Sequence, residues 1–201
     1  MMTITYEGRN SIYINMTNRC PCACTFCLRH NDDHVFNSGS LWLEREPSVK
    51  EVCNSLDTWD LSKYDEVVFC GYGEPTERLD DLLQVAAYIR SKSNVSIRIN
   101  TNGLADLIAK EKVAHKLYGL IDTVSISLNA TNKDDYFKIV RPKFGIDSYD
   151  AMLDFTRDCT KYVPNVIMTV VDVVTSKEEQ EKSKEICKLV GATLRIRPYE
   201  E

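Results

Sequence analysis

The stretch Ser11-Ile-Tyr-Ile-Asn-Met-Thr-Asn-Arg-Cys-Pro-Cys-Ala-Cys-Thr-Phe-Cys27 runs from a β-branched, alternating segment into a loop with four cysteines. Residues 11–16 read as a strand. Cys20, Cys24 and Cys27 then follow with the spacing Cys-x3-Cys-x2-Cys. Thiolates favour soft metals, and three of them on one short loop suit an iron–sulfur cluster that keeps one iron free of protein ligands. A structural zinc site is the other reading of the same spacing, with Cys22 or His30 as the fourth ligand.

Outward from that loop, apolar β-branched runs alternate with helical patterns. Further strands are expected at 66–70, 95–99, 123–128, 166–172 and 193–197. Helices are expected at 48–58, 79–92, 104–118, 147–162 and 177–190. Leu79, Leu82, Leu83, Ala86, Ala87 and Ile89 keep the 3.6-residue rhythm of a helix packed on a sheet. Strands separated by helices imply βαβ units, a parallel sheet and right-handed crossovers. A closed eight-stranded barrel takes about 250 residues, whereas 201 residues hold six such units. The expected fold is α/β: a partial (β/α)6 TIM-like open barrel with a parallel six-stranded sheet, one domain over 1–201. The loop 30–47 has the least apolar pattern and reads as the least ordered part.

A hydrophobic share of 43% is enough for a real core. The net charge of -5 disfavours non-specific phosphate binding, and nucleic acid with it. The apolar run from Val163 to Val174 is broken by Pro164, Asn165 and Asp172, so no membrane span is expected. Glu7 and Arg9 stand where a secretion signal would be apolar. Of the eight cysteines, four crowd into residues 20–27, which reads as metal ligation in a reducing cytoplasm and not as a disulfide framework. Cys53, Cys70, Cys159 and Cys187 read as core, and His115 as a surface or packing residue of a helix.

In parallel α/β folds the loops after strand C-termini carry the chemistry. Gly71-Tyr-Gly-Glu-Pro75 follows the second expected strand and Asn100-Thr-Asn-Gly103 the third. Ser127 and Asn129 close the fourth, Arg141 lies beyond it, Asp172 ends the fifth, and Arg195 and Arg197 lie on the sixth. Each has a plain structural reading. Gly71–Pro75 could be only a tight turn, Asn102-Gly103 is a common turn signal, and Arg141 before Pro142 could be a solvated charge. The functional reading is that the glycines let the backbone approach a ligand, with Glu74 meeting an ammonium group or fixing the loop.

Cys20-x3-Cys24-x2-Cys27 with Phe26 before the last Cys, Gly71-Tyr-Gly-Glu-Pro75 and Thr101-Asn-Gly103, each in order at a strand end, resemble the signature motifs of the radical S-adenosylmethionine superfamily. Val68–Pro75, Ile97–Gly103, Val124–Ala130 and Arg141–Gly145 resemble one compact subgroup, the TatD-associated radical S-adenosylmethionine proteins. That subgroup takes its name from a neighbouring hydrolase, not from a reaction. The resemblance implies that Cys20, Cys24 and Cys27 bind a [4Fe–4S] cluster and that S-adenosyl-L-methionine chelates the open iron. It implies that Phe26 lies near the adenine and that the backbone from Gly71 through Tyr72 and Gly73 to Glu74 receives the methionine ammonium. Asn100, Asn102, Ser127 and Asn129 become candidates for the ribose or the carboxylate. Val170 becomes a candidate for the position beneath the adenine with Asp172 nearby, and Arg141 or Arg195 for the carboxylate. Tyr72 departs from the usual second glycine, so its side chain must point away from the cofactor.

The implied activity is reductive cleavage of S-adenosylmethionine to methionine and a 5′-deoxyadenosyl radical that abstracts hydrogen from a substrate, fed by a flavodoxin- or ferredoxin-type electron donor. No catalytic side chain beyond the cluster ligands is identifiable. An exposed cluster makes oxygen sensitivity an expectation. No Cys-rich extension follows, so a second cluster is not expected, and so short a barrel suggests a large substrate (a protein, a peptide or, least favoured by the acidic balance, RNA) or a partner that closes the site. An activase of a glycyl-radical enzyme and a small-molecule radical enzyme both fit. The reading from another class is a non-catalytic iron–sulfur or zinc-binding redox module.

Overall fold

Along the inner strands, aliphatic residues at every second position require one face of the sheet to be covered. The computed structural model, described for residues 2–30, 34–172 and 176–198, shows helices doing so. The strands are β1 (Thr5–Gly8), β2 (Ser11–Ile14), β3 (Glu66–Phe69), β4 (Ser96–Thr101), β5 (Thr123–Ser127), β6 (Asn165–Val171) and β7 (Thr193–Arg197). They lie in sequence order in one sheet, parallel from β2 to β7. The helices are α1 (Val49–Leu56), α2 (Leu79–Lys92), α3 (Ala105–Ala109), α4 (Lys133–Val140), α5 (Ser148–Cys159) and α6 (Lys177–Val190). The larger apolar cluster joins Ile12, Ile14, Val67, Phe69, Ile97, Ile99, Val124, Ile126, Met168 and Val170 to helix residues such as Leu82, Ile89, Met152 and Phe155.

Three expectations change. The sheet has seven strands, because Thr5–Gly8 turns back and pairs antiparallel with β2; the open α/β barrel stands, with an added edge strand. The single helix at 104–118 is broken: Lys110 caps α3 in the left-handed region (φ 60°), and the Asp106 side chain accepts from Val113 N at 3.0 Å. The α4 helix was not expected; Asn132 caps it by accepting from Asp135 N.

The loop 30–47 is also better anchored than its composition suggests, although 31–33 lie outside the described residues. Leu41 and Leu43 are buried, and the Asn15 and Asn18 amides donate to their carbonyls, each at 2.8 Å. On the inner face Leu41 joins Tyr6, Tyr13, Val68 and Tyr72 in a second cluster. Cys159 and Cys187 are core; Cys70 is instead half-buried on this inner face, and Cys53 is half-buried. His115 is exposed and lies edge-on to Tyr162. No described helix is long and apolar enough to cross a membrane.

Candidate metal and cofactor site

The β2 strand delivers the chain to the Cys loop, and three neighbouring loops hold it. Ala23 N and Thr25 N donate to Val140 O and Ile139 O at 3.1 and 2.9 Å, and Lys143 N donates to Pro21 O at 2.8 Å. Cys22 thereby bridges to Pro142, so Arg141 sits beside the Cys loop with its side chain exposed. On the other side Glu74 N donates to Arg19 O at 2.8 Å.

The glycines after β3 are required by chain, not ligand. A Cβ on Gly73 would stand 2.1 Å from Thr17 O and 2.7 Å from Arg19 O, and one on Gly71 2.1 Å from Asn15 Oδ1. Tyr72 between them is buried in the aromatic cluster, its ring edge-on to Trp42 at 5.2 Å.

Glu74 fixes the loop. Its buried carboxylate accepts from Thr76 N (3.1 Å), Thr76 Oγ1 (2.7 Å), Thr101 Oγ1 (2.7 Å) and Asn102 N (2.8 Å). Burial pushes its carboxyl above the ordinary range while those donors pull it down. Glu74 therefore ties the loop after β3 to the Thr101-Asn102-Gly103 turn after β4. With every donor supplied by the protein, its carboxylate is the loop's anchor. Asn102 reaches back across the gap, its amide 3.6 Å from Cys22 Sγ and 3.9 Å from Cys20 Sγ.

The four loop thiols are unpaired, and their surroundings differ. Cys22 is buried and donates to Cys20, which lowers the Cys20 thiol and drives that of Cys22 far up. Burial pushes Cys24 up to about 12, helped by the charges of Cys20 and Cys27. Arg29, which the motif reading missed, donates from Nε to Cys27 Sγ at 3.4 Å and reaches the carbonyls of Asn18 and Cys22, its guanidinium over the Trp42 ring. Tyr136, also missed, is fully buried with its hydroxyl unpartnered; burial and then Cys22 and Cys24 raise it. No local pattern flags Tyr136, whereas Arg29 lies within two residues of a thiol.

Among the described residues, no three His, Cys, Asp or Glu side chains converge to hold a single ion. A cubane spreads its thiolate ligands over its corners, so three thiols free of disulfides, with a guanidinium on Cys27 and an amide near Cys20, fit a cluster. The remaining candidates scatter. Phe26 is half-exposed at the loop's edge, Asn100 and Ser127 lie half-buried on the inner face, and Asn129 is buried at φ 61° after β5. Val170 is fully buried on the helix-covered face, leaving Thr169 and Val171 on the inner one; Asp172 is exposed just beyond. Arg195 is exposed on β7.

An open parallel barrel with a thiolate loop at the C-terminal strand ends defines a class of metal-dependent α/β protein. The chain belongs to the Radical SAM superfamily, whose model matches residues 14–190 and whose enzymes use a [4Fe–4S] cluster and S-adenosylmethionine. It is 23% identical over 195 residues to the dual-specificity RNA methyltransferase RlmN of Nautilia profundicola, covering 92% of this chain and 52% of that protein. It is 28% identical over 141 residues, 70% of this chain and 52% of the other, to a protein of Methanocaldococcus jannaschii named as a glycyl-radical enzyme activating enzyme. The chain thus spans about half the length of these curated relatives. In fold it resembles the radical SAM methyltransferase of Sphaerobacter thermophilus (TM-score 0.63, 15% identity, covering 98% of this chain and 69% of the other). It also resembles Streptococcus suis SuiB bound to S-adenosylmethionine (TM-score 0.65, 16% identity, 94% and 38%).

Proposed function

We propose that the protein is a radical S-adenosylmethionine enzyme in which Cys20, Cys24 and Cys27 hold the cluster and the loops after β3 to β6 hold the cofactor. The observation that carries this is the Glu74–Asn102 link, which joins the Cys loop, Gly71–Pro75 and Thr101–Gly103 into one rim. When bound, the cluster and S-adenosylmethionine supply a 5′-deoxyadenosyl radical for hydrogen abstraction. The protein's share is orientation. Arg29 donates to the Cys27 sulfur and steadies that end of the loop, the Cys22 thiol supports Cys20 without ligating, and Glu74 fixes the backbone that receives the methionine ammonium.

Phe26 is assigned to the adenine, with Asp172 near it, while the Val170 side chain lies in the helix-covered core. Asn102, Ser127 and Asn129 are assigned to the ribose or the carboxylate, and, of Arg141 and Arg195, Arg141 to the carboxylate, with Arg195 and Asn100 left to the inner face of the sheet. Among those assignments Arg141 has the support of its backbone contact with the Cys loop. The substrate is a protein or peptide, reduction comes from a flavodoxin- or ferredoxin-type donor, and the setting is cytoplasmic. SuiB with its precursor peptide is a fold neighbour consistent with a peptide. The TatD-associated likeness of the strand-end motifs is part of this reading.

The test is anaerobic reconstitution with iron and sulfide, then dithionite and S-adenosylmethionine, and assay of 5′-deoxyadenosine. Formation that falls to background in Cys24→Ala is the expected result. Tight binding of about one zinc per chain with no cleavage would replace the enzyme with a metal-binding module.

A further inference from the structure

The inner face of the sheet divides into two unlike halves. Over β1–β3 it is filled by Tyr6, Tyr13, Val68, Leu41 and Tyr72. Over β4–β7 the same face turns polar and cationic. Register follows it from Val68 to Arg98 and Thr123, from Asn100 to Ser125, and from Ser127 to Thr169 to Arg195, with Arg197 opposite Val171. The alternate residues Ile97, Ile99, Val124, Ile126, Met168 and Val170 all enter the helix-covered core, so these polar ones face inward together.

Three guanidiniums share this surface with one acid. Arg98 is buried at 6% exposure and pairs with Glu66 through Nη2 at 2.6 Å. Its Nε is buried without a partner, as are Arg197 Nε and Asn100 Oδ1. Among the described residues Arg195 and Arg197 have no carboxylate partner. Arg195 and Arg197 stand two residues apart on the same face of β7, and the Arg195 guanidinium, although the residue is exposed, is held below its ordinary value by partial desolvation and then by the charges of Arg98 and Arg197. A chain of net charge -5 that gathers guanidiniums on one concave face, with a buried donor unspent, is built to receive an anion.

We infer that the inner face of β4–β7 is the substrate-binding surface and that it takes an oxyanion of the substrate, a carboxylate or a phosphate, on Arg98, Arg195 and Arg197. This rests on the enzyme reading above and narrows its substrate to one bearing such a group. Asn100 Oδ1 stands ready to accept from an N–H or O–H of the same ligand.

The test is titration of inorganic phosphate and, separately, acetate into the reconstituted full chain. Binding is followed by calorimetry and by the NMR signals of the arginine Nε–H groups, with and without S-adenosylmethionine. Saturable binding that moves the Arg98 and Arg197 signals is expected. It should weaken at least tenfold in Arg197→Gln, return in part in Arg197→Lys, and persist in Lys182→Gln on the outer surface. The tighter probe tells a carboxylate from a phosphate substrate. Arg195→Gln, at an exposed side chain, replaces Arg197→Gln if that variant does not fold. No saturable binding, or equal loss in Lys182→Gln, overturns the inference. Displacement of phosphate by S-adenosylmethionine also overturns it, because the guanidiniums would then hold the cofactor carboxylate. Formation of 5′-deoxyadenosine without substrate is scored separately. Its absence defeats the enzyme reading, while the phosphate titration still reads the site.

Discussion

The rim around the Cys loop and the inner face of β4–β7 are made from the same sheet, yet they are held in opposite ways. At the rim, backbone meets backbone with no spare room, and the Glu74 carboxylate has every nearby donor spoken for. On the inner face, three guanidiniums share one surface, and Arg98 and Arg197 each keep a buried Nε without a partner. The rim is organised for rigidity, which a cluster and a cofactor need before chemistry begins. The inner face is organised for an incoming partner, at some expense of stability in its absence.

That contrast predicts where substitution hurts. Glu74→Ala should cost the most, about 4 kcal/mol by urea unfolding, because the Thr76 and Asn102 N–H groups would be stranded in the interior. A cost below about 1 kcal/mol would mean that water replaces the carboxylate and that the rim is looser than its distances imply. Gly73→Ala should follow at about 3 kcal/mol, since its Cβ would meet two backbone carbonyls that cannot rotate aside. Tolerance of that alanine would break the picture of loops closed on one another.

Cys22→Ala sharpens the comparison within the rim. Removing this buried thiol should cost about 1 kcal/mol in packing and leave iron and sulfide content at the wild-type level. Loss of metal would make Cys22 a ligand and revive the binding-module reading. The buried donor relation of Cys22 to Cys20 argues for retention.

The same contrast explains what could be read from the chain. The strands from β2 to β7 were legible because their aliphatic alternation is strong, and α2 and α6 because their periodicity is unbroken. The β1 strand, Thr5-Tyr-Glu-Gly8, was too short and charged to stand out; its register comes from pairing with β2. Lys133–Val140 hid among charges, and the break at Lys110 depends on a side-chain cap with no Gly or Pro to announce it. At the site, Cys20, Cys24, Cys27, Glu74 and Asn102 were visible as motifs. That Gly71 and Gly73 serve chain packing, that Asn15 pins the loop at Leu41, and that Tyr136 buries an unpartnered hydroxyl under the influence of Cys22 and Cys24 are long-range facts no local pattern carries.

The smallest predicted effect tests the other half. Arg195 is exposed, has no carboxylate partner among the described residues, and is disfavoured by Arg98 and Arg197. Arg195→Gln should therefore leave stability within about 0.5 kcal/mol of wild type, with the change in the stabilising direction at low salt. The gain should shrink as salt is raised, because the exposed Arg195 charge is screened over a Debye length of roughly 10 Å at 0.1 M. Added phosphate should reverse the order, stabilising the wild type more than the variant by mass action on the folded state. If Arg195→Gln instead loses stability without any anion present, Arg195 has a structural partner, and the inner face is a finished core like the rim.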